Sequence, residues 1–107
     1  MPYYMLQVGY TSEAWATMAK HPQDRAEAVR PAIESLGGSV EGAWICFGEY
    51  DLVAIVQFPD NVASAAFSIA AAGAGALSTI KTTPLMTMDE GVEAMNQAAG
   101  TGLKPPS

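Results

Sequence analysis

Two apolar runs, Val40 to Phe47 and Leu52 to Phe58, are separated by only four residues, Gly48-Glu49-Tyr50-Asp51. Both runs carry the aliphatic and aromatic side chains that suit extended backbone. Two parallel strands need a crossover of about a dozen residues, so this joint forces an antiparallel hairpin. A doubly wound parallel sheet is excluded at once, and everything else must be arranged around the hairpin.

Tyr3 to Tyr10 reads as an earlier strand. Thr11 or Ser12 offers a cap to a short helix over 13–20. Asp24, with Glu27 three residues on, starts a second helical piece that runs to Leu36 with Ala28, Ala32, Ile33 and Leu36 inward. Pro31 lies inside that piece and predicts a kink, or a late start near Arg30. Gly37-Gly38 ends it. After the hairpin, Pro59 stops the strand, and Asp60 or Asn61 caps a helix to about Ala72. Val62, Ala65, Ala66, Ile69 and Ala70 share one side of it, and its many alanines allow close approach to a sheet. Leu77 to Leu85 is a fourth strand. Thr87-Met88-Asp89-Glu90 is a capping box for a last helix to about Ala99. The order β-α-β-β-α-β plus a C-terminal helix is an α+β, ferredoxin-like arrangement: a four-stranded antiparallel sheet with both main helices on one face. One domain is expected over 1–99, with a flexible C-terminal tail over 100–107.

Composition narrows the partners. Eleven acidic against five basic residues give a net charge of −6, which speaks against nucleic acid or an anionic membrane surface. The charge-free stretch from Asn61 to Ile80 is long enough to span a bilayer, but its Ala, Gly, Ser and Thr supply little transfer energy, so no membrane span is expected. Met1 to Met5 has no basic segment and no long apolar run, unlike a signal peptide. The single cysteine, Cys46, cannot form an intrachain disulfide; a lone thiol points to a cytoplasmic location. Mid-strand, it is expected to be buried and inert.

Alternation divides each strand between two faces. Tyr4, Leu6 and Val8, with Leu52, Ala54 and Val56, form all-apolar sets suited to the helices. Tyr3, Met5 and Gln7, with Val53, Ile55 and Gln57, form mixed sets, and Thr79, Lys81 and Thr83 join them. Such a face carries too little charge for open water, while an unpaired buried amide costs about 1–3 kcal/mol. It suits a subunit contact or a ligand cavity. A homodimer with sheets face to face is therefore expected; the alternative is that the last helix folds over this face within one chain.

Gly48-Glu49-Tyr50-Asp51 followed by Leu52-Val53-Ala54-Ile55-Val56 resembles the GYD domain family, which is similar to the dimeric α/β-barrel group of ferredoxin-like proteins. The resemblance extends to Arg25-Ala26-Glu27-Ala28, to Leu36-Gly37-Gly38-Ser39-Val40, to Pro59-Asp60 and to the alanine-rich helix, over about residues 3–95. Pro31, Lys81 in place of an arginine, and the tail after Gly100 depart from it. It implies the fold and the dimer and names no substrate.

Gly48, Tyr50 and Asp51 admit two roles. In one, Gly48 takes a turn conformation, Tyr50 packs over the hairpin end and Asp51 accepts turn N–H groups. In the other, the Tyr50 hydroxyl and the Asp51 carboxylate act as acid–base groups at a cavity mouth. Gln7, Trp44, Gln57 and Lys81 are candidate ligand-binding residues on the open face, and Lys81 could instead pair with Asp51. Trp15, Tyr3 and Tyr10 read as core or interface anchors. His21, beside Pro22, reads as a surface residue with no partners for a metal site. Gly73-Ala74-Gly75 follows a helix and lacks a Gly-Lys-Ser/Thr ending, so no nucleotide or other cofactor is expected. Two functions compete: a small-molecule-binding homodimer, with or without cofactor-independent catalysis, and a non-catalytic interaction or regulatory module whose sheet face is only an interface.

Overall fold

The computed structural model describes residues 1–106. The hairpin forms as the joint requires: β2 (Ser39–Ile45) runs antiparallel to β3 (Leu52–Gln57), pairing Val40 with Val56, Ala43 with Ala54 and Ile45 with Leu52. Glu41 is an extra residue in β2, a bulge on an edge strand. β1 (Tyr3–Tyr10) lies between β3 and β4 (Leu77–Leu85), giving the order β2-β3-β1-β4 with every pair antiparallel. This is the expected ferredoxin-like α+β architecture.

Four helices complete it: α1 (Ser12–Lys20), α2 (Arg25–Ser35), α3 (Asn61–Gly73) and α4 (Met88–Ala99). Each has a side-chain cap where the sequence offers one. Thr11, Asp24, Asp60 and Thr87 accept from backbone N–H groups three residues on. Only at α4 does the full capping box close, with the Glu90 carboxylate accepting from the Thr87 N–H at 2.9 Å. That hydrogen bond holds the Glu90 carboxyl below its usual range. At α2, Glu27 turns instead to Arg30, at 2.8 Å.

The core lies on one side of the sheet. Tyr4, Leu6, Ala54, Val56 and Phe58 bury there against Ile33 of α2 and Phe67 of α3. Tyr4, almost fully buried, donates its hydroxyl hydrogen to Asn61 Oδ1 at 2.7 Å. The Phe58 ring lies 5.9 Å from Tyr4 and 6.0 Å from Phe67.

Three local expectations are corrected. α2 begins at Arg25 behind its Asp24 cap, so the late start near Arg30 does not occur, and the helix runs through Pro31. It packs through Val29, Ile33 and Leu36, leaving Ala28 and Ala32 exposed, because the larger side chains at i, i+4 and i+7 bury more area. α3 likewise turns Ser64, Phe67 and Ala71 inward; Val62 and Ile69, on the opposite side, are 78% and 73% exposed. The Phe67 ring decides that rotation. Cys46 falls just past the end of β2, half-buried, and its thiol donates to the Tyr50 carbonyl at 3.2 Å.

α4 buries no residue, and the radius of gyration, 17.2 Å, exceeds the roughly 13 Å expected for a compact chain of this length. The helix thus stands off the body and does not seal the open sheet face. Residues 100–106 are exposed and form neither helix nor strand; Ser107 lies outside the described residues. No helix among the described residues is long and apolar enough to cross a membrane.

Candidate functional site

Register sets the open face in three cross-strand rows: Trp44–Val53–Gln7–Lys81, Gly42–Ile55–Met5–Thr83 and Ser39–Gln57–Tyr3–Leu85. Gln7, on the interior strand β1, is therefore the cross-strand neighbour of Lys81 on the edge strand β4. Trp44 sits at the β2 edge, 59% exposed, with its indole laid over Gly42; a Cβ there would stand 2.7 Å from the ring. Gln57, at the far end, donates its amide to the Met1 carbonyl at 3.1 Å. Among the described residues neither Gln7 nor Lys81 has a side-chain hydrogen bond or ion pair within the chain.

Asp51 is not beside Lys81. It sits where the hairpin meets the β1–α1 corner. Its Oδ2 accepts from the Tyr10 N–H at 2.9 Å and the Trp15 Nε1–H at 3.2 Å. Its own N–H donates to the Val8 carbonyl at 2.8 Å, and its carbonyl accepts from the Cys46 N–H at 2.9 Å. The side-chain partners lie 41 and 36 residues away, unlike the local turn N–H groups expected. Gly48 adopts φ +139°, a region costly for any side chain. Tyr50 is half-buried, and Phe47 at the hairpin tip is 97% exposed. His21 caps the C-terminus of α1 on the surface.

A cavity of about 120 Å³ lies on the other side of the sheet, between β-strand side chains and helices α2 and α3. Leu6, Val8, Val29, Ile33, Phe67 and Ala71 are among its walls, and nothing polar lines it except Tyr10 and Arg25. Ile33 and Val56 are its deep, fully buried side; Arg25 and Tyr10 are half-exposed and mark its mouth. An adjoining depression, bounded by Gln23, Asp24, Trp44 and Ile45, shares Arg25, Ala26, Ala43 and Leu52 with it.

Burial pushes the Tyr10 phenol above its ordinary pKa; the adjacent Arg25 guanidinium opposes this without reversing it. The phenol thus keeps its proton at neutral pH and is a hydrogen-bond donor. Its ring meets Trp15 edge-on at 5.4 Å, and Trp15 is in turn held by Asp51. Asp51, Trp15, Tyr10 and Arg25 form a continuous chain of contacts from the hairpin to the cavity mouth. The sequence pointed to Asp51, Tyr10 and Trp15 singly; the role of Arg25 was missed. The signal available was the run of small side chains, since Ala43, Ala54, Ala71, Ala74 and Ala76 all line the space.

The profile of the GYD domain matches residues 4–95, from within β1 to within α4. The chain belongs to the GYD domain family. A search of curated proteins returns no match. In this GYD domain the Gly-Glu-Tyr-Asp tetrad closes the central hairpin and, through Asp51, ties it to the corner that carries Tyr10.

Proposed function

We propose that this GYD domain is a small-molecule-binding protein that acts as a homodimer, joined through the open sheet faces and holding its ligand on the helix-covered side. The observation that carries the binding role is the apolar cavity with one phenol and one guanidinium at its mouth. A few polar groups at the rim of an apolar enclosure fix orientation, while burial supplies affinity. Its volume is near the roughly 150 Å³ of a dry cavity that holds benzene. The dimer is supported by a sheet face that α4 leaves uncovered, with apolar side chains around the Gln7–Lys81 pair. Gln7, Trp44, Gln57 and Lys81, the candidate ligand residues, would then line the subunit seam. Binding is favoured over acid–base catalysis by Asp51, whose Oδ2 is already taken up by two N–H groups that tie the hairpin to the β1–α1 corner.

The test is an amide NMR titration with toluene. Saturable shifts at Ile33, Phe67 and Ala71, abolished when Ala71→Leu fills the space, are the expected result. Absence of saturable shifts would contradict the binding role. The second function, an interaction module, is favoured by the apolar edge at Ile45 and Phe47, 63% and 97% exposed. It predicts a dimer that ignores toluene.

A further inference from the structure

We infer that the ligand of this cavity is a small monocarboxylate, with its apolar body inside and its carboxylate on the Arg25 guanidinium at the mouth. This rests on the binding role proposed above and adds the ligand's charge and size. In a chain with eleven acidic residues and five basic ones, an arginine is expected to find an acid. Arg30 does, with Glu27 at 2.8 Å, and that is the only ion pair among the described residues. Arg25 has none. One of its N–H groups donates to Gln23 Oε1 at 2.8 Å, and the guanidinium keeps further donors in a planar fork that matches a carboxylate.

Asp24, next to Arg25 in the chain, and Asp51, beside Tyr10, each have a carboxylate oxygen already hydrogen-bonded. Asp24 caps α2 with Oδ1 at 3.1 Å from the Glu27 N–H, and Asp51 holds Tyr10 and Trp15. The Tyr10 hydroxyl, protonated and beside Arg25, is a second donor for the same head group. No other charged side chain lines the cavity, so an inward cation would meet only apolar walls. The volume limits the body to about one six-membered ring or a chain of similar bulk. A doubly charged phosphate head suits the site less well, because one guanidinium would have to offset two charges in a chain of net charge −6.

The experiment compares benzoate, toluene and benzylamine on the full-length protein by amide NMR titration, in wild type, Arg25→Gln and Tyr10→Phe. Arg25 opens α2 and is only partly buried, so Arg25→Gln leaves the core intact. Benzoate is expected to bind about tenfold tighter than toluene, and benzylamine more weakly than either. Arg25→Gln should remove the benzoate advantage and leave toluene unchanged; Tyr10→Phe should remove part of it. Equal affinities for benzoate and toluene, or a benzoate advantage that survives Arg25→Gln, would overturn the carboxylate assignment while the cavity's binding role stands. Failure of both probes to bind would overturn both.

Discussion

Asp51 joins three parts of the chain through one residue: its backbone pairs with Val8 and Cys46, and its carboxylate with Tyr10 and Trp15. Hydrogen bonds to a charged acceptor contribute more than neutral ones, and removing the acceptor leaves two donors to find water. Asp51→Ala is expected to cost about 2 kcal/mol, seen as a lower urea midpoint at unchanged slope. Asp51→Asn, which keeps an acceptor oxygen, should cost about half of that. A midpoint unmoved by either change would mean the carboxylate is not structural. From the sequence Asp51 was a turn acceptor or an acid–base group. The acceptor role holds in kind, but its side-chain partners lie 41 and 36 residues away, and no local pattern encodes such distances.

At the scale of elements, the strands were legible because alternation assigns each side chain to a face, and Tyr4, Leu6 and Val8 faced the helices as read. Helix rotation was less so. Alanine is neutral between faces, so in α2 and α3 the rotation depends on where the few large residues find space, and Ile33 and Phe67 decided it. Pro31 is the clearest override. α2 continues through it, although proline removes a backbone donor and its ring crowds the carbonyl of Glu27. Because Pro31 is exposed, Pro31→Ala should restore the missing hydrogen bond without disturbing the core, raising stability by about 1–2 kcal/mol after the loss of proline's restraint on the unfolded chain. Thermal or urea unfolding checks this; a lower midpoint would show that proline is required there.

For the whole molecule, one sheet presents two unlike sides. The helix-covered side was expected to be closely packed and the open side to hold the ligand. The helix-covered side is not closely packed: a space lies beneath α2 and α3, where small side chains from both sheet and helices meet. An alanine-rich helix can lie close to a sheet or leave a void, and sequence alone does not choose between them; the choice depends on how far Ile33 and Phe67 hold the helices off. The open side matched its sequence pattern, with Met5, Val53 and Ile55 around Gln7 and Lys81 and no cover from α4. If that face is the subunit seam, a charge at its centre must break it, since an unpaired carboxylate in an apolar contact is costly to desolvate. Sedimentation velocity at micromolar concentration measures this directly. Wild type should sediment at twice the 11.2 kDa of the chain, and Ile55→Asp at the single-chain mass while still taking up toluene. A wild-type protein that sediments at 11.2 kDa throughout would contradict the division of the sheet into an assembling side and a binding side.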